Sequence, residues 1–276
     1  MTTPEQELPF IRNLASSDKR LRIQALTSLQ TFLTAQRALD RLTALKLWKG
    51  LFFALWMCDK PIPQQNLCAE LADLYTSLPA AKKRNKNGTA AGGGGDGVVP
   101  TWFGAAWEVL ANHWTEIDVL RMDKFLLLTR RIFAAHLRWV RDGEWDEARQ
   151  ASVIDVLKAG PFESEGDVAR VPLGLRLHVL DIWVDEMERV GMLGSDDAAS
   201  EKGEGEGEGD AVAVEFADRM RRQVIEPLTS CIAKPVRKSA AEQLEDERLP
   251  WVRRKKAGDG DGDAVEEEEE WGGIED

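Results

Sequence analysis

The chain has 276 residues, 43% of them hydrophobic and 30% charged, which is enough to bury a sizeable core and excludes a wholly disordered protein. Its formal net charge of -12 gathers in Glu/Gly-rich and Asp/Gly-rich stretches around Glu204, Glu206 and Glu208, around Asp259, Asp261 and Asp263, and in the run Glu266 to Glu270. Such stretches bury almost nothing and are expected to stay disordered, so the folded body lies nearer neutrality than the total suggests.

The N-terminal residues show no basic region followed by an apolar run, so no secretory signal is expected there. Helical spacing then begins: Leu21, Ala25, Leu26, Leu29 and Leu33 share one face of a helix capped by Ser17 or Asp18. A second helix over about 40–58 starts amphipathic and turns apolar on all sides from Leu45, as a helix touched on several sides does. Its apolar run, Leu51 to Cys58, is far too short to span a bilayer. After Pro61-Ile62-Pro63 a third helix is predicted over 64–78. The segment from Ala80 reads as a flexible surface loop, and further helices are predicted near 102–114, 119–140, 146–157, 173–193 and 211–232, with a short one over 239–249.

Two-residue alternation is missing, so the expected class is all-α: antiparallel helical hairpins stacked as a HEAT/ARM-like α-solenoid, with a compact irregular bundle as the competing architecture. The expected organisation is one helical domain over 1–250 with flexible inserts at about 82–98 and 195–210, then a disordered, basic-then-acidic tail over 251–276. The sequence holds ten Trp, nine Phe and one Tyr, which implies broad packing layers or partner-docking anchors. Cys58, Cys68 and Cys231 have no metal spacing and cannot all pair, so they read as free thiols of a reducing compartment, cytosolic or nuclear.

Neither enzyme chemistry nor a cofactor is expected. His136 falls among Phe125, Thr129, Ile132, Phe133 and Val140 at helical spacing and reads as a core histidine. His113 shows no carboxylate at ligand spacing, and His178, one turn from Asp181, reads as an interhelical hydrogen-bonding residue, since no nucleophile or further ligand accompanies it. The run Gly92 to Gly95 follows no strand and precedes no Lys-Ser/Thr, so it is not a phosphate cradle.

The positive signal is a stripe of Arg121, Lys124, Arg131 and Arg138, placed opposite the apolar face of the helix that carries His136. It suits RNA phosphates or an acidic partner as well as it suits an ordinary solvated face. Two basic clusters have the form of import signals: Lys82, Lys83, Arg84 and Lys86, and Arg253, Arg254, Lys255 and Lys256. The acidic tail after them, with Trp271 and Ile274, reads as a docking motif, a shield against basic partners or a plain solubilising segment.

The stretch Leu47-Trp48-Lys49-Gly50-Leu51-Phe52-Phe53-Ala54-Leu55-Trp56-Met57-Cys58-Asp59-Lys60-Pro61 resembles the signature of the ribosomal RNA processing protein 1 (nucleolar Nop-type) family. Three blocks follow in the family's order: Leu14 to Lys19 with Ala25 and Leu29, Trp114 to Phe125 with Arg130-Arg131, and Pro172 to His178 with Asp181. The resemblance implies a non-catalytic nucleolar factor of early large-subunit (60S) ribosome assembly, needed for the pre-rRNA that yields 5.8S and large-subunit rRNA. It implies a place in a pre-60S particle beside WD-repeat and Brix-type assembly factors and ribosomal proteins, with pre-rRNA within reach and no membrane or small-molecule substrate. Trp48, Leu51, Phe52, Leu55 and Trp56 recur at helical spacing and form the expected central layer, while Lys49 and Lys60 are expected outward, towards rRNA or a partner. The alternative function is a generic helical-repeat adaptor for protein partners, unconnected to ribosomes.

Overall fold

The computed structural model describes residues 13–14, 16, 18–36, 38–78, 98–194 and 206–259, the backbone alone at 206–208 and 256–259. Among these residues stand ten α-helices and no strand: α1 Lys19–Ala35, α2 Arg41–Trp56, α3 Pro61–Asp73, α4 Val98–His113, α5 Val119–Arg141, α6 Glu147–Ala159, α7 Leu173–Val190, α8 Glu206–Met220, α9 Lys234–Gln243 and α10 Pro250–Asp259.

Several boundaries follow from elementary capping chemistry. The carboxylates of Asp18, Asp40, Asp118 and Asp146 accept backbone N–H groups in the first turns of α1, α2, α5 and α6, supplying partners to donors that a helix start leaves unpaired. Ser17, the other expected cap of α1, lies outside the described residues. Gly191 ends α7 at φ 84°, where its N–H reaches Glu188 and that of Met192 reaches the Met187 carbonyl, a closure that needs the left-handed backbone glycine adopts without strain.

The helices form two layers. In the first, α2 packs on α4 and α4 on α6, and the segment Arg221–Ile225 that continues α8 packs on α6; in the second, α3 packs on α5, α5 on α7 and α7 on α9. Partners two elements apart in sequence are what stacked hairpins produce, so the expected α-solenoid stands. α1 packs against the short 3-10 turn Leu74–Ser77 at one end, and α10 lies at the other, with Trp251 stacked on Trp183 at 6.5 Å between ring centroids.

Aromatic rings fill the layers and the space between them. Trp48 meets Trp102 at 5.0 Å, Phe52 stacks on Phe125 at 4.4 Å and Phe103 stacks on the His136 ring at 3.8 Å. Each fully buried phenylalanine contributes about 2–3 kcal/mol through the apolar area it removes from water. The expected central residues Trp48, Leu51, Phe52 and Leu55 are buried, whereas Trp56 is only half-buried and belongs to the surface described below. Leu21, expected on the buried face of α1, is exposed, while Ala25, Leu29 and Leu33 are buried.

Four expectations are corrected. The third helix starts at Pro61 rather than 64, because a proline at the first helical position lacks an N–H that had no partner to lose. α8 starts at Glu206, inside the expected Glu-Gly insert. The short helix predicted over 239–249 lies at Lys234–Gln243. The tail expected to be disordered from 251 opens as α10, because Trp251 packs on Trp183 and under the Arg221 guanidinium, and its indole donates to the Leu244 carbonyl.

One buried ion pair holds the link between α6 and α7. Arg176, 1% exposed, donates to the carbonyls of Val171, Glu163 and Asp167 and to the Glu163 carboxylate. Burial pushes that carboxyl up, but Arg176 and the backbone N–H groups of Glu165, Gly166 and Asp167 outweigh it and hold the group below the usual carboxylate range. Arg176→Met leaves the buried Glu163 carboxylate with backbone N–H donors alone and three carbonyls without their donor. It is expected to cost about 3–5 kcal/mol in urea unfolding, the range for breaking one side of a buried pair.

Candidate partner interface

α5 lies in the middle of the second layer, and its polar residues face its neighbours more than solvent. Lys124 is 4% exposed, and its ammonium donates to the carbonyls of Trp56 at 2.8 Å and Cys58 at 2.9 Å. These are carbonyls at the C-terminal end of α2, where a helix runs out of intrahelical donors. Gln64 adds a second donor to Cys58 O at 2.7 Å, and the Cys68 thiol donates to the Lys124 carbonyl at 3.4 Å. Burial lowers the Lys124 ammonium from its ordinary value, partly offset by Asp59, and pushes the Cys68 thiol up to about 12. The expectation of a solvent-facing stripe is therefore corrected at Lys124: its flexible stem carries the charge inward to two carbonyls.

The other stripe residues separate in the same way. Arg121 pairs with Asp118 and lies over the Trp56 ring at 4.8 Å, and Arg138 pairs with Asp73 on α3. Arg131 is half-buried, and its Nε has no hydrogen-bond partner among the described residues. On the opposite edge of α5, Arg130 pairs with Asp185 and Glu186 of α7, and Arg248 reaches Asp185 at 3.0 Å and Glu188 at 2.9 Å. These ties on the far edge were not foreseen from the sequence. The adjacent Arg130-Arg131 was its one visible trace, since neighbours in a helix point 100° apart and cannot share a stripe.

Lys49 on α2 and Lys60 before α3 are exposed, as expected, and neither has a partner among the described residues. Of the import candidates, Lys82, Lys83, Arg84 and Lys86 lie outside the described residues, as does the side chain of Lys256. Arg254 and Lys255 are exposed on α10, and Arg253 is half-buried there, donating to the Gly194 carbonyl at 3.4 Å.

The histidines sit in structural places. His136 is fully buried; its Nδ1 lies 2.7 Å from the Ile132 carbonyl, while Trp107 Nε1 donates to Nε2 at 3.1 Å. Only a neutral ring protonated at Nδ1 satisfies both contacts, and burial lowers its pKa to about 3. His178 bonds the Leu126 carbonyl at 3.0 Å, the interhelical contact expected of it. His113, expected without a carboxylate, pairs with Glu116 at 2.8 Å. Among the described residues, no group of three or more His, Cys, Asp or Glu side chains could hold a metal ion. No described helix is long and apolar enough to cross a membrane.

The two segments that Lys124 joins fall in two of the blocks that carry the family resemblance, Leu47 to Pro61 and Trp114 to Phe125 with Arg130-Arg131. Residues 5–275 match the family described as nucleolar protein, Nop52. The chain belongs to the Nop52 family. Among curated relatives, it is 27% identical over 267 residues to the human ribosomal RNA processing protein 1 homolog B, covering 94% of this chain and 32% of that protein. Identity to the mouse homolog A is 28% over 190 residues, covering 67% of this chain and 35% of the relative. For the Drosophila melanogaster homolog it is 28% over 188 residues, covering 67% and 25%. The chain thus spans about a third of the length of the relatives it matches first.

Lys124→Met keeps the apolar stem but leaves the Trp56 and Cys58 carbonyls without the ammonium. A loss of about 2–3 kcal/mol is expected, read as a fall in the thermal midpoint of about 5 °C or more by circular dichroism. Lys49→Glu and Lys60→Glu, at exposed positions, are expected to leave the midpoint within about 1 °C. A pH series tests His136. The unfolded chain binds a proton near 6.5 that the folded ring refuses down to about 3, so stability falls as pH drops through this window by about 1.4 kcal/mol per unit. His178, also lowered by burial, acts in the same direction. Urea unfolding between pH 7.5 and 5 should therefore lose much of its pH slope in His136→Gln, and an unchanged slope would count against the neutral buried ring.

Proposed function

We propose that this chain is the helical scaffold of a non-catalytic nucleolar factor, acting in pre-60S particles on the way to 5.8S and large-subunit rRNA. The match of residues 5–275 to a nucleolar family carries this reading, and the rRNA-processing relatives support it. The allocation of polar groups is consistent with it. Buried charges on α5 and α7 are engaged in ties to neighbouring helices and to the α6–α7 link rather than gathered at a cleft.

Contact with rRNA or a partner falls to the groups the fold leaves outward: Lys49, Lys60 and the half-buried Arg131. Arg121 and Arg138 contribute through guanidinium edges not taken up by Asp118 and Asp73. Lys124 takes no part, because it is engaged with α2. The partners proposed are WD-repeat and Brix-type assembly factors and ribosomal proteins, and the basic residues of α10 serve import.

Gradient sedimentation of the tagged chain from nuclear extract tests the reading, with the co-purified RNA identified. Recovery with a large-subunit precursor carrying unprocessed 5.8S and large-subunit rRNA is the expected result. Sedimentation as a small, RNA-free complex would overturn it and leave a protein adaptor. Lys49→Glu with Lys60→Glu is expected to weaken recovery in the particle several-fold at an unchanged thermal midpoint.

A further inference from the structure

Nine large apolar side chains are exposed among the described residues. Singly, such residues need no explanation. Six of the nine, however, stand at links that lead from the first layer to the second. Met57 and Ile62 flank the α2–α3 link, Val119 and Leu120 follow the α4–α5 link, Val168 lies in the α6–α7 link, and Ile232 lies between Ser230 and α9.

These links touch one another in turn. Lys124, in the second turn of α5, bonds the carbonyls of Trp56 and Cys58 in the first link. The Trp114 indole nitrogen, in the second link, lies 3.0 Å from where a side chain on Gly174, at the start of α7, would begin. The same construction on Gly166, in the third link, meets Cys231 Sγ at 3.1 Å and the Ile232 side chain at 3.6 Å in the fourth. The four links therefore make one continuous rim, roughly 25–30 Å long at the 8–10 Å spacing of packed helices.

Charge selects what can lie on it. The two middle links present Glu116, Asp118, Glu165 and Asp167 against Arg121 and Arg170. This local excess of carboxylates disfavours a phosphate backbone along the middle of the rim, while Lys60 in the first link and Lys234 after the fourth stand at its ends. The excess also disfavours a second copy, since a twofold axis that pairs the rims sets link two against link three, acid on acid. A polypeptide with an apolar strip bordered by lysine or arginine satisfies both features, and a helix of about 17–20 residues has the length.

We infer that this rim is the docking edge for another protein's apolar strip flanked by basic residues. The inference rests on the scaffold reading and supplies the edge on which the scaffold carries its load. Its test is photo-crosslinking of the full chain in cells, with p-benzoylphenylalanine at position 120 and separately at 232, and a control at position 42 in the first turn of α2. The expected result is that positions 120 and 232 capture the same polypeptide, at a peptide that is apolar and edged by lysine or arginine, and that position 42 does not. Leu120→Ser with Ile232→Ser, at side chains 90% and 83% exposed, should reduce capture by a third probe, p-benzoylphenylalanine in place of Ile62, at least ten-fold without moving the thermal midpoint. Capture of RNA, of a second copy or of an acidic peptide overturns the inference. So does absence of capture while the chain still sediments in the ribosomal precursor, an outcome that leaves the proposed function standing. Capture of such a peptide by a chain that never enters the precursor overturns the ribosomal reading and leaves the rim.

Discussion

A helix leaves its last carbonyls in need of donors, and those at the end of α2 lie against α5. Two of them are met by an ammonium delivered from α5, 66 and 68 residues further along the chain. The rest of the packing depends on this junction. It sets where α2 stops, where the Asp59-Lys60-Pro61 link begins, and how the α2–α3 hairpin sits against the next one. A lysine suits the task because four methylene groups pack along apolar surface while the charge reaches inward, and a charge-assisted bond to a carbonyl offsets part of the desolvation.

From that junction the same logic extends along the second layer. α5 is tied to α3 by Arg138 and to α7 by Arg130 and His178, and α7 is tied in turn to the segment before α10 by Arg248. The apolar side chains, aliphatic and aromatic together, supply the burial, but apolar contacts carry little direction. Directional bonds to carbonyls and carboxylates fix the register, and in a stack of hairpins register is what sets the curvature of the whole.

Much of the fold was legible because amphipathic helices write their buried face into the spacing of leucines and alanines. α5 and α7 were placed within a few residues on that basis, as was the buried state of His136. What escaped had partners distant in the chain. Lys124 looked like a surface charge because Arg121, Arg131 and Arg138 share its stripe, although Leu127 and Leu128, three and four residues on, hinted at an apolar setting. The Glu163–Arg176 pair was invisible, since a loop carboxylate and a helix arginine thirteen residues apart carry no spacing signal. Helix α10 was hidden by the charged run that surrounds Trp251. Of the candidate interface, Lys49 and Lys60 were legible as outward residues, and the apolar rim was not, because its members are far apart in sequence and meet only through the stack.

The connections of the two layers also have an asymmetry. The chain crosses from the second layer to the first at α3–α4, α5–α6 and α7–α8, and the glycine-rich segment and the start of the Glu-Gly segment fall in the first and last of these connections. The links on the opposite side run only from Met57 to Lys60, from Trp114 to Asp118, from Gly160 to Pro172 and from Cys231 to Ala233. The two longest connections of the stack thus start and end on one side of it. A fluorescent protein or an affinity handle spliced near residue 90 or residue 200 therefore enters one of those two connections, and the molecule can be followed in a cell with the four short links of the other side untouched.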